Sequence, residues 1–111
     1  MTSTYYIERS VIASVINSEI EHKLNKNYFT DMFHRKLVNG INRLKELGEY
    51  IDFETLRHKF TKANKWTFQE DNLLVELMTF TTPFSTQKIF DEYYKIITDE
   101  YKENLDRRFA V

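Results

Sequence analysis

The sequence contains no cysteine, one proline and two glycines in 111 residues. Without cysteine there is no disulfide, no thiolate zinc site and no cysteine nucleophile. Such a chain suits a reducing cytosol, and a cytoplasmic protein is the expectation. Sandwiches and barrels turn every ten residues or so and draw on Gly and Pro to do it. Phosphate-cradling loops need several glycines close together. The scarcity of both residues argues against an all-β fold, a dinucleotide-binding domain and a nucleotide-driven motor. No apolar run is long enough to cross a bilayer, and residues 1–8 lack the basic start and apolar centre of a signal peptide. No sign of charge dominates either. The 16 Lys and Arg stand against 17 Asp and Glu, a net charge of -1, so nothing global draws the chain to nucleic acid or anionic lipid.

Aromatic side chains, in contrast, are plentiful at 15%. They serve either a dense small core or an interface. The length fits one domain, and every strong periodic segment reads as helix. Ile7, Val11, Ile12, Val15 and Ile16 predict a first helix over residues 5–16. Ser18-Glu19-Ile20-Glu21 has the form of a capping box. It predicts a short second helix with Ile20 and Leu24 inward, closed by Asn25-Lys26-Asn27. Phe33, Leu37, Ile41, Leu44 and Leu47 form the stripe of a third helix, with Gly48 where a left-handed C-cap belongs. Gly40, inside that helix, marks a close approach by a neighbouring one.

Asp52 is placed to cap a fourth helix through the Thr55 amide, with Ile51 and Leu56 as a hydrophobic staple. Thr67-Phe68-Gln69-Glu70 is a second capping box, opening a fifth helix with Leu73, Leu74, Leu77 and Met78 inward. Pro83 breaks it. Ser85 is the expected N-cap of a last helix reaching Arg108, with Ile89, Phe90, Tyr93, Ile96, Ile97, Tyr101 and Leu105 as its apolar positions. At 1.5 Å per residue it would be about 35 Å long, more than so small a domain is wide, so its far end must project or meet something outside this chain. The expected fold is all-α: a compact bundle of about six helices, residues 1–84 forming a helical head and residues 85–111 a long final helix of the same domain.

Catalysis finds little support. His22, His34 and His58 lack the i, i+4 spacing of a helical zinc site and read as surface or core-edge histidines. No metal, cofactor or catalytic residue is expected. Asp91-Glu92 and Asp99-Glu100 flank lysines and read as a solvated face with Glu–Lys support. Arg57, His58, Lys59, Phe60, Lys62, Lys65 and Trp66 form a basic, aromatic patch that could hold a single strand. Glu54, Glu70 and Asp71 dilute its field, and a solvated helix face is the better reading. The last helix carries more apolar surface than one contact stripe needs. Phe90, Tyr93, Tyr94, Ile97, Tyr101 and Leu105 are therefore the candidate interface residues.

An ordered set of short motifs then stands out. His34-Arg35-Lys36-Leu37-Val38, Leu44, Gly48 and Ile51-Asp52-Phe53-Glu54-Thr55-Leu56 follow one another, preceded by the aromatic pair Tyr28-Phe29. Ile7-Glu8-Arg9-Ser10-Val11-Ile12, Leu74-Val75-Glu76-Leu77, Pro83 and Tyr93-Tyr94-Lys95-Ile96-Ile97 fall in order around them. The set resembles the N-terminal domain of bacterial replicative DNA helicases of the DnaB type over nearly the whole chain. Lys65-Trp66-Thr67-Phe68 stands where that family has Gly-Gly, and Ile89 where it has Asn. His34, Gly48, Ile51, Asp52, Thr55 and Leu56 are the positions that carry the family motif.

The resemblance implies a helical head followed by a helical hairpin, which the long last helix would begin. It implies dimers within a collar above a ring-shaped motor, and docking of the primase C-terminal domain or the helicase loader. It implies no chemistry in this segment, DNA contact only through the assembly, and no membrane. The chain stops at Val111 before the hairpin closes. Two origins fit: a piece of an ATP-dependent helicase, or a free-standing adaptor or decoy acting on the replication machinery. A small single-stranded nucleic-acid-binding module is the remaining alternative.

Overall fold

The computed structural model describes residues 3–17 and 19–109. Five α-helices and one 3-10 turn account for its regular structure, with no strand among the described residues. They are α1 (Ser3–Asn17), α2 (Met32–Glu46), α3 (Phe53–Lys62), α4 (Phe68–Phe80) and α5 (Gln87–Phe109), with the 3-10 turn at Lys26–Tyr28.

α1 is the central helix. Residues 11–16 are buried on every side, which only an element surrounded by others can achieve. α5, α2 and α4 pack around it. Ser14, fully buried, donates to the Ser10 carbonyl at 2.7 Å and accepts from the Phe84 amide at 2.7 Å. That pairing satisfies a backbone donor in the turn between α4 and α5. α2 carries the predicted stripe: Leu37, Val38, Ile41 and Leu44 are buried. Leu47, expected on that stripe, is 50% exposed, because it is already the C-cap residue and the chain turns away at Gly48. Gly48 has φ +68°, the left-handed conformation that favours glycine at a helix end.

Gly40 marks the crossing of α2 and α3. A Cβ there would lie 2.6 Å from Phe60 Cζ and 3.2 Å from Leu56 Cδ1. The Phe60 ring cannot swing away freely, since it stacks on Trp66 at 4.5 Å. Gly40→Ala should therefore destabilise by about 1–2 kcal/mol, the overpacking cost exceeding the gain in helix propensity of about 1 kcal/mol. Urea denaturation checks the sign; a more stable variant would contradict the crowding.

The helix starts follow the predicted chemistry at two sites and differ at two. Asp52 accepts from the Thr55 amide at 2.7 Å and starts α3. Thr67 and Glu70 form a reciprocal capping box at the start of α4. α5 begins one residue later than expected. Thr86, not Ser85, accepts from the Ile89 amide at 3.2 Å, and its carbonyl takes the Phe90 amide. The second predicted helix does not form over residues 19–25; Ser18, its expected cap, lies outside the described residues. A segment this short nucleates a helix poorly, and its backbone groups find side-chain partners instead. Asn42 donates to the Leu24 carbonyl at 2.8 Å, and Lys45 donates to that of His22. Gln87 bonds both the amide and the carbonyl of Glu21, and the Tyr94 hydroxyl takes the Asn25 amide at 3.0 Å. The segment is an extended strap between α2 and α5.

The chain measures 44 × 30 × 28 Å, with a radius of gyration of 14.2 Å. A compact domain of this size has a radius near 13 Å. The excess fits a long final helix: residues 102–107 of α5 are all exposed.

Candidate functional site

α5 was the expected interaction element, and the fold sorts its residues into different roles. At 100° per residue, Phe90, Tyr94, Ile97 and Tyr101 share the face toward the head. Phe90 and Ile97 are each 1% exposed and belong to the core of this chain. The Tyr94 ring stacks on Phe90 at 6.2 Å, and its hydroxyl donates to the Lys23 carbonyl at 3.3 Å. Burial raises the Tyr94 pKa, so the hydroxyl stays protonated and available to the strap. Tyr101 meets Tyr28 at 4.9 Å. These four side chains are thus engaged within the monomer.

What remains uncovered is smaller. Tyr93 and Ile96, one helical step apart, flank that face at 37% and 39% exposure. Tyr93 is braced by a stack on Phe84, with centroids 4.6 Å apart. Leu105 continues the inward stripe at 37% exposure, lining a pocket with Thr4 and Tyr28. The acidic pairs do not support the helix as expected, since no ion pair forms within α5 among the described residues. Asp91 instead accepts from Gln87 at 3.0 Å, and Glu100 accepts from Thr4 on α1.

A second uncovered surface was not foreseen. On α4, Leu74 and Leu77 are buried in the core and Met78 packs against it, while other apolar side chains stand open. Leu73, expected inward, is exposed with Phe68, Val75 and Phe80. The run Leu73-Leu74-Val75 carried the signal, because three consecutive apolar residues cannot share one helix face.

The motif residues have structural tasks. His34, expected at the surface or core edge, is 1% exposed, and its Nδ1 lies 2.8 Å from Glu8 Oε1. Glu8, fully buried on α1, also accepts from the Thr30 amide at 3.0 Å and the Thr30 hydroxyl at 2.8 Å. Burial pushes the Glu8 carboxyl up, but the hydrogen bonds from His34 and Thr30 outweigh it, and the group sits below its ordinary value. An ionised carboxylate only accepts, so Nδ1 of His34 carries the proton. His58, in contrast, is exposed on α3. Leu56 is fully buried, and Ile51 packs against the same core.

Two cations of the basic, aromatic patch are paired with carboxylates. Arg57 makes two hydrogen bonds of 2.7 Å to Asp71, and Trp66 donates to Asp71 at 3.0 Å. The Arg57 hydrogen bonds, and then that of Trp66, hold the Asp71 carboxyl below its ordinary range. Lys59 pairs with Glu49 at 3.0 Å. Phe60 and Trp66 stack on each other rather than standing open for bases.

His22 sits in the strap with Nδ1 buried and unpartnered. Burial, then the charge of Lys45, pushes its pKa down from 6.5 to about 4. The folded state therefore binds fewer protons than the unfolded one between these values. Stability from this group is present above the unfolded pKa of 6.5 and falls as pH drops toward 4. An NMR titration should find His22 well below 6.5, at about 4, and His22→Leu should flatten that part of the stability profile.

Among the described residues no helix is long and apolar enough to cross a membrane, and no group of three or more His, Asp or Glu side chains could hold a metal ion. The family described as DnaB-like helicase N terminal domain matches residues 1–99. No curated protein and no solved structure matches the chain. The match spans the buried Glu8–His34 pair, the Gly48 and Asp52 helix boundaries and most of α5, and the chain belongs to the DnaB-like helicase N-terminal domain family.

Proposed function

We propose that the chain is an assembly and docking module of a replicative DNA helicase and performs no chemistry of its own. The carrying observation is the length and partial cover of α5. The rest of the chain fixes one face through Phe90, Tyr94 and Ile97, which leaves Tyr93, Ile96 and Leu105 partly exposed at its margins. Rigid aromatic and aliphatic side chains of this kind supply affinity at interfaces, and the flanking charges set register. A second copy is the first partner, with α5 as the start of a hairpin that the two copies share. The primase C-terminal domain or the helicase loader is the further partner, and DNA is met only through that assembly.

Sedimentation velocity tests the self-association. The chain should associate, and the double variant Tyr93→Ser/Ile96→Ser, or Leu105→Ser, should weaken this by about tenfold, or 1.4 kcal/mol, with helicity intact. Tyr94 and Tyr101 make poor test sites, since both brace the monomer. A chain that stays monomeric at high concentration in all variants would sink the assembly role. Titration with an isolated primase C-terminal domain tests docking separately, and absence of binding removes that part.

A further inference from the structure

A groove of about 320 Å³ runs between α2 and α3, away from the α5 faces. Its floor is apolar. Gly40 lets the two helices approach, so Leu44 and Leu56 share that floor with Phe60. Leu47 stands half-exposed at its edge. Every charged residue lining it is a cation: Arg43, Lys59 and Lys65. Arg43 meets Glu46 at 3.4 Å and Lys59 meets Glu49 at 3.0 Å, both as solvent-exposed pairs. Such pairs contribute about 0–1 kcal/mol, so an incoming carboxylate can displace either one at little cost. The Lys65 ammonium has no carboxylate partner among the described residues.

We propose that this groove docks an acidic amphipathic helix from a partner protein. Two aliphatic side chains one turn apart would lie on the leucine floor, the usual way a helix seats in a groove between helices. Carboxylates on its flanks would meet Arg43, Lys59 and Lys65, which selects an acidic partner over a neutral or basic one. A nucleic-acid strand fits less well. Bases need open aromatic faces, whereas Phe60 and Trp66 stack on each other and the Lys36 ammonium lies within 6 Å of both rings.

The test uses the full chain and fluorescence anisotropy. The probes are labelled, Glu-rich helical peptides of about 15 residues, each with a pair of leucines at i, i+3 or i, i+4. Control peptides carry Lys for Glu, or Ser for Leu. At least one acidic peptide should bind, and both of its controls should bind about tenfold more weakly. Lys65→Glu and Leu47→Ser should each reduce binding by a similar factor. Both positions are exposed, so the variants should keep the melting profile of the parent chain, which circular dichroism verifies. Failure of every acidic peptide to bind overturns the proposal, as does binding indifferent to both substitutions. Tighter binding of single-stranded oligothymidylate, lost in Lys65→Glu, overturns it in favour of nucleic acid. Loss of self-association in the same two variants overturns it in favour of a second copy.

Discussion

Glu8→Ala should lower the folding free energy by several kcal/mol, at about 1–3 kcal/mol for each buried donor left without its acceptor. Glu8 is fully buried and binds the Thr30 amide, the Thr30 hydroxyl and His34 Nδ1, with the Asp31 amide at 3.4 Å. Asp31 in turn is the N-cap of α2 and accepts from the His34 amide at 3.0 Å. One carboxylate on α1 thus fixes the chain where it enters α2. Its loss leaves a buried imidazole and backbone donors without partners. Small domains have about 5–15 kcal/mol in total, so the variant should melt early and resist urea poorly.

Glu8→Gln separates shape from charge. It keeps the volume but turns an acceptor toward donors only in part, and should cost about 1–3 kcal/mol. The pH dependence distinguishes the two states of the parent chain. Because the folded carboxyl sits below its ordinary 4.5, its contribution is present above that value and is lost as pH falls through the folded pKa. Urea titrations near pH 7 and near pH 4 should therefore show a smaller acid loss in Glu8→Gln than in the parent. Equal stability of Glu8→Ala and the parent at neutral pH would show that the pair does not hold α2 in place.

Phe90→Ala should cost about 3–5 kcal/mol, the scale for emptying an aromatic site in a core. The prediction separates core from contact along α5. Phe90 is 1% exposed and stacks on Tyr94, which holds the strap. Its removal should loosen residues 19–25 together with α5, seen as lost amide protection in both. Tyr93→Ser, one helical step away and partly exposed, should cost less, chiefly through the lost stack on Phe84. A stable, well-folded Phe90→Ala that no longer self-associates would place Phe90 at an interface and reverse the assignment.

The helices and their boundaries were largely legible in the sequence where the signal is local. The Asp52 cap, the Thr67–Glu70 box and the left-handed Gly48 each depend on a few residues and the backbone beside them. The Gly40 approach was legible too, since a glycine inside a strong helix needs a reason. The family likeness rested on the order of such local motifs and holds over residues 1–99.

Three features depended on partners distant in sequence. Residues 19–25 carry helix signals but form a strap, because Asn42, Lys45, Gln87 and Tyr94 take their backbone groups. The aromatic wealth of α5 reads as one interface, yet the fold covers most of Phe90, Tyr94, Ile97 and Tyr101 and leaves Tyr93, Ile96 and Leu105 partly exposed. The motif residue His34 gained its role only when α1 brought Glu8 within 2.8 Å. The sequence by itself determined an all-α, glycine-poor domain of this family, because periodicity and capping act within a few residues. Tertiary structure decided which aromatic faces stay open and which polar groups are buried in pairs. Those outcomes depend on surfaces that meet only when the chain has folded.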